Sequence, residues 1–247
     1  AGHPVTPASL PSGQGFTQTM VSEHRGARAS TADTYLRPAR RRRNLRVVTN
    51  AHVRRVTFAD GRATGVYVDI DSVTRQARAR REVILSGGAI GTPQLLMLAG
   101  VGPAAHLAEH GIPVVVDAPE VGANLQDHLV AGLAPAAKGG TLYGAEKPAE
   151  PAKYLAARRG MLTSNVAEAY GFVRTGVADR RGMAEGLPDI EIIFAPVPYV
   201  GEGLVPTPAE GLTVGAILLR PVSRGTIRLA SGDPMQAPLI DPAYLSD

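Results

Sequence analysis

The chain has 247 residues, 44% of them hydrophobic, enough for a packed core in one large domain or two ordinary ones and too apolar for a disordered chain. It contains no cysteine, which excludes a disulfide framework, a thiolate metal site and a cysteine nucleophile. The formal net charge is +4, and no window of about 18 residues is apolar without interruption, so a membrane-spanning helix is not expected.

The N-terminus reads AGHPVTP, with neither an initiator Met nor an apolar signal core, and the expectation is a start inside a longer protein of a reducing, cytoplasmic compartment. Ser30 to Asp33 (STAD) has the spacing of a capping box with Asp in place of Glu, opening a short helix through Tyr35 and Leu36 that Pro38 stops. Much of the positive excess follows in RPARRRRNLR, Arg37 to Arg46. The run is short and lacks interleaved aromatics, so it reads as a solvated surface and not as a nucleic-acid patch. In HVRRVTFADGRATGVYVDI the Asp60-Gly61 pair separates two alternating apolar runs, a hairpin pattern.

REVILSGG (Arg81 to Gly88) reads as a strand ending in paired glycines. Thr92 and Pro93 then open a helix that closes at Gly100. A second short helix, PAAHLAEHG, ends at Gly111 and leads into a strand in IPVVVDA. Pro135 to Pro151 is rich in Gly, Ala, Lys and Pro and reads as an exposed loop. PDIEIIFAPVPYV, GLTVGAILLRPV and RGTIRLAS are strand-like runs punctuated by Pro and Gly, which predict a largely antiparallel sheet. The fold class is α/β (α+β), with a structural boundary near residue 130.

No GxGxxG, GxxxxGK[ST] or GxSxG motif is present. HLAEH matches the HxxEH pattern of inverted zinc peptidases, with His106 and His110 on one helix face and Glu109 placed to activate water. The helix is only about two turns long and no later helix offers a third ligand, so an ordinary surface helix is the simpler reading. The glycines before the helix at Gly87 and Gly88 have two explanations: a backbone approaching a nucleotide cofactor, or a tight strand-to-helix crossover.

GAIGTPQLLMLAGVGP resembles the second signature of the glucose–methanol–choline (GMC) family of FAD-dependent oxidoreductases, matching at Gly88, Ala89, Thr92, Pro93, Leu95, Leu96, Gly100, Val101 and Gly102. It departs at Ala99, where the family pattern has Ser. RGARASTADTYLRPA and NLRVVTNAHVRRV are similar to family segments upstream, and HLAEHGIPVVVDAPEVGANLQDHL to the run downstream. GMLTSNVAEAYGFVRT, LLRPVSRGTIRLAS and APLIDPAYLSD look like segments of its substrate domain. The resemblance thus covers nearly the whole chain in order.

That resemblance implies FAD-dependent oxidation of the CH–OH group of a small-molecule alcohol, with hydride passing to flavin N5. It implies a partial FAD-binding domain over residues 24–130 and an antiparallel-sheet substrate domain over 131–247, joined by 1–23. Val53 falls where the family's main chain holds the adenine of FAD; Ser86, Gly87 and Gly88 would line the cofactor side of the turn. Asn124 heads a polar cluster with Gln126, Asp127 and His128 that is either a structural network or a flavin neighbour. Glu168 is the implied substrate contact, because choline-type relatives carry a carboxylate there for a cationic alcohol. The family's GxGxxG unit and catalytic histidine have no counterpart in these residues, and its histidine in the position of His128 is not the base. A truncated form unable to complete catalysis alone is therefore expected; a remnant that binds FAD weakly or not at all, or remotely a zinc peptidase, are the alternatives. No nucleic-acid partner is expected, and the oligomeric state is open.

Overall fold

The computed structural model describes residues 4–7, 13–201, 204–205 and 209–246. Parts of the expected 1–23 joining segment therefore lie outside the described residues. The strands are β1 (Gly15–Gln18), β2 (Glu23–His24), β3 (Ala27–Arg28), β4 (Ala51–Ala59), β5 (Arg62–Ile70), β6 (Val73–Arg78) and β7 (Val101–Gly102). They continue with β8 (Val116–Asp117), β9 (Val130–Leu133), β10 (Ala169–Val173), β11 (Ile190–Ala195), β12 (Thr213–Leu218), β13 (Thr226–Arg228) and β14 (Leu239–Asp241). The helices are α1 (Arg37–Ala39), α2 (Gly88–Leu98), α3 (Ala104–Glu109), α4 (Ala149–Ala157) and α5 (Gly176–Arg180).

The chain divides into two compact units, each discontinuous: residues 1–45 with 128–220, and residues 46–127 with 221–247. The first is built on a five-stranded sheet in the order β1-β10-β11-β12-β9, antiparallel throughout. This is the sheet predicted from the Pro- and Gly-punctuated runs, although RGTIRLAS supplies no strand to it. Among the described residues of this unit two carboxylates are buried, and both are satisfied. Asp189 accepts hydrogen bonds from the Thr175 amide (2.7 Å) and hydroxyl (2.6 Å). Glu150 accepts from Lys153 Nζ (2.5 Å) and from the Met161 amide (2.9 Å). Buried ions survive only with such partners.

Ser30 behaves as the capping box requires, its hydroxyl oxygen accepting the Asp33 amide at 3.3 Å. The turn is wide, π-type over Ala32–Leu36, and passes straight into α1. Pro38 does not stop it: the helical run continues through it to Ala39 before it ends. Helix α4 begins at Ala149, inside the stretch read as loop, because Ala and Glu propagate a helix once Pro148 has started it.

The second unit carries the three-stranded sheet β4-β5-β6 and a small core. The Asp60-Gly61 turn is present with φ of 50° and 72°, the sign a two-residue hairpin turn needs. A second such turn at Asp71 and Ser72 (φ 50° and 63°) brings back β6, which the sequence pattern did not single out because Val73 to Arg78 has no apolar face. Met97 and Leu107 are fully buried and pack with Leu98, Ile227 and Leu229, so α2, α3 and the β13 segment share one cluster.

Three expectations change here. REVILSGG is not a strand: none of the described strands pairs with it, and Ile84 is 76% exposed. Strand identity depends on a neighbour for the backbone, and hydrophobic pattern alone does not provide one. IPVVVDA contributes only Val116–Asp117, parallel to β7. RGTIRLAS forms β13, which pairs with β14 in the second unit.

Candidate functional site

Helix α2 starts at Gly88, four residues before Thr92 and five before Pro93, so Pro93 lies within the helix. Thr92 acts from inside it, its hydroxyl oxygen accepting the Gly87 amide at 3.1 Å. The helix ladder begins beside it, with the Gly91 amide on the Gly87 carbonyl at 3.2 Å. The two glycines prove to have different reasons. A Cβ on Gly87 would lie 3.0 Å from the backbone of Gly91 and Thr92, so this glycine lets the chain turn tightly onto its own helix. A Cβ on Gly88 would meet nothing within 4 Å, while φ is +73°, a left-handed conformation. The crossover therefore explains Gly87; Gly88 borders open space.

Next to Gly88, Ala89 lines a cleft of about 320 Å³ together with Pro93, Gly122, Asn124, Gln126 and Ile227 among others. Asn124 is exposed in it and has φ +58°, a conformation Asn tolerates better than most residues. The segment is fixed from behind by an antiparallel bridge between Leu125 and Gly225 and by the Ile227 amide on the Gly122 carbonyl at 2.7 Å. Asp127 is engaged by the Tyr244 hydroxyl. Asp127 thus serves structure, whereas Asn124 and Gln126 face the cleft.

Of the residues singled out in sequence, Ala89 beside Gly88 and Asn124 share this cleft; Ser86, Gly87 and Gly88 are exposed but do not line it. Val53 lies on β4, the edge strand of its sheet, next to an irregularity of register between Val53 and Arg55; α2 packs against this strand, but Val53 does not line the cleft. Ile227 and Gly122 were missed: the pairing that brings residues 225–227 to 122–125 joins segments about a hundred residues apart, and neither carries a local signal.

Glu168 belongs to the first unit and lines a cleft of about 430 Å³ shared with Thr19, Glu23, Ser164 and Asn165. Ser164 Oγ donates to Glu168 Oε1 at 2.5 Å. Thr19 Oγ1 is buried there without a hydrogen-bond partner among the described residues.

The ligand atoms of His106, Glu109 and His110 all lie within 4.8 Å of one another. Both ring nitrogens of His106 are nevertheless engaged. Nε2 accepts the Leu229 amide at 3.0 Å, and Nδ1 lies 3.4 Å from Glu109 Oε2. This histidine ties α3 to the β13 segment, a structural duty the sequence motif did not suggest.

A GMC oxidoreductase family model matches residues 1–130, and the chain belongs to the GMC oxidoreductase family. FAD is the cofactor that this membership assigns. A GMC-type oxidoreductase of Mycobacterium tuberculosis is 53% identical over 237 residues, covering 96% of this chain and 44% of that protein. Human mitochondrial choline dehydrogenase is 39% identical over 252 residues, covering 100% of this chain and 41% of the relative. A variant formate oxidase of Aspergillus oryzae, solved in a study of FAD modification, superposes with TM-score 0.87 at 28% identity, covering 100% of this chain and 47% of that one. The chain thus spans less than half the length of these relatives. Membership replaces the zinc-peptidase alternative, since HLAEH lies inside the matched family segment. No helix among the described residues is long and apolar enough to cross a membrane.

Proposed function

We propose that this chain forms part of an FAD-dependent oxidoreductase acting on the CH–OH group of a small alcohol. The observation that carries this reading is the bare, left-handed Gly88 immediately before Ala89, which lines a cleft together with Asn124. The residues fit the cofactor. The first N–H groups of an eleven-residue helix lack intrahelical partners and favour an anionic group such as a pyrophosphate. Asn124 and Gln126 offer amides for polar recognition. Val53 lies on an edge strand, where the adenine would meet main chain. Ser86, Gly87 and Gly88 would lie along the cofactor side of the α2 turn.

When bound, FAD supplies the two-electron acceptor, its N5 taking the carbinol hydride. This chain's share is to hold the cofactor and, through Glu168, to orient the alcohol. A carboxylate at the rim of a cleft suits a substrate with a cationic group. The second unit would then serve the cofactor and the antiparallel sheet of the first unit the substrate. No described residue is assigned as the catalytic base.

The test is flavin content. Protein purified from the complete reading frame should show flavin absorbance at about equimolar stoichiometry, and Asn124→Ala should lower it by about tenfold in affinity, the loss of one buried-site hydrogen bond or more. Folded protein that takes up no flavin from excess FAD would overturn the proposal and favour the non-catalytic remnant.

A further inference from the structure

The segment between Ser164 and Glu168 combines a short hydrogen bond with a backbone conformation that its residues do not favour. Val166 has φ +71°, and the Ala167 amide donates to the Asn165 carbonyl at 2.9 Å, which closes a three-residue γ-turn with Val166 at its centre. This form of γ-turn is rare and strained, and a β-branched residue is a poor occupant of it. The turn is held by side chains on both sides: the Val166 amide donates to Ser164 Oγ at 3.0 Å, and Asn165 Nδ2 donates to the Ala167 carbonyl at 3.0 Å. Ser164 Oγ in turn spends its own proton on Glu168 Oε1 at 2.5 Å. The main chain of Glu168 is fixed as well, its carbonyl accepting the Thr19 amide at 3.0 Å.

Strain of this kind persists only where the surroundings over-determine it, and it gathers at sites that need a group held still. We infer that Ser164 is a positioning residue: through the strained Val166 turn it holds the Glu168 carboxylate in one rotamer at the rim of the Thr19–Glu23–Asn165 cleft, presenting the carboxylate as a preorganised acceptor for the cationic end of an alcohol substrate. The inference rests on the proposed role of Glu168. A glutamate left loose would lose side-chain freedom on meeting the cation; one already held loses little, and the saving appears as affinity. The serine hydroxyl has one proton to give and two lone pairs to receive, so it serves the carboxylate and the turn amide together.

The experiment measures dissociation constants by titration calorimetry for two probes of nearly equal shape, choline and neutral 3,3-dimethylbutan-1-ol, on FAD-loaded protein from the complete reading frame. Ser164→Ala should weaken choline by about tenfold, the scale of one hydrogen bond to a charged group, and leave the neutral alcohol unchanged. Ser164→Thr, which keeps the hydroxyl, should restore choline binding. Val166→Gly should raise the melting temperature, because glycine accepts the turn without strain, yet weaken choline as the carboxylate gains freedom. Glu168→Gln is the control. If it weakens choline while Ser164→Ala does not, the positioning role is overturned and the substrate contact stands. If Ser164→Ala weakens both probes alike, the serine is merely structural and the inference falls. If Glu168→Gln leaves choline untouched, the substrate role fails and the inference with it.

Discussion

Gly88→Ala separates a cofactor cradle from an ordinary helix start. Within the chain the new methyl group meets no atom within 4 Å, so no internal clash arises. The cost to folding is conformational: φ at this position is +73°, and an alanine there costs about 1–2 kcal/mol. For a chain of this size that lowers the melting temperature by about 2–8 °C. Gly111, just after α3, is the matched control, since its φ is +65° and its Cβ would also meet open space, but neither of its chain neighbours lines the Asn124 cleft as Ala89 beside Gly88 does. Gly111→Ala should therefore lose the same stability. The two variants should part in FAD affinity, read by flavin fluorescence quenching on the protein from the complete reading frame. If the space beside Gly88 is where the cofactor lies, a methyl group there weakens FAD by at least about tenfold, some 1.4 kcal/mol beyond the folding cost. Gly111→Ala should leave FAD affinity within about twofold, a few tenths of a kcal/mol. Equal FAD affinities in the two variants would refute the assignment, whatever happens to their stability.

Other consequences follow from packing and charge. Met97 is fully buried among Leu98, Leu107, Ile227 and Leu229, so Met97→Ala should cost about 2–5 kcal/mol in chemical denaturation, whereas Val130→Ala, at 55% exposure, should stay within about 0.5 kcal/mol. Burial alone would push the Asp189 carboxyl up, but the hydrogen bonds from Thr175 outweigh it and hold the group below the usual carboxylate range. A carboxyl lowered on folding adds stability above its unfolded value and loses it as pH falls through the folded one. Asp189→Asn should therefore be destabilised at neutral pH and converge with the parent in acid. Glu191 is the opposite case: burial raises it, offset in part by the charge of His128. Ionising it costs stability as pH rises, so Glu191→Gln should melt higher than the parent at neutral pH and equally below the ordinary carboxylate range, and a lower melting temperature at neutral pH would contradict this sign.

Much of the chain's local chemistry was legible in one dimension. The Asp60-Gly61 hairpin, the Ser30 cap, the strand runs of β11 and β12 and the helix after Gly88 all follow from rules that act over two to eight residues, where side-chain period and backbone sterics decide. The signature from Gly88 to Gly102 led to the family from residues close together in the chain, and two of its glycines, Gly88 and Gly100, have the positive φ that glycine tolerates. The tertiary structure alone decided which segments meet. Residues 225–227 close one wall of the Asn124 cleft, His106 is occupied by the Leu229 amide, and RGTIRLAS joins β14 and not the sheet of β11 and β12. Only in three dimensions do the paired glycines part, Gly87 closed by its own helix and Gly88 left open. Strand pairing and clefts are formed by groups distant along the chain, and their free energy comes from surfaces that no short stretch of sequence contains.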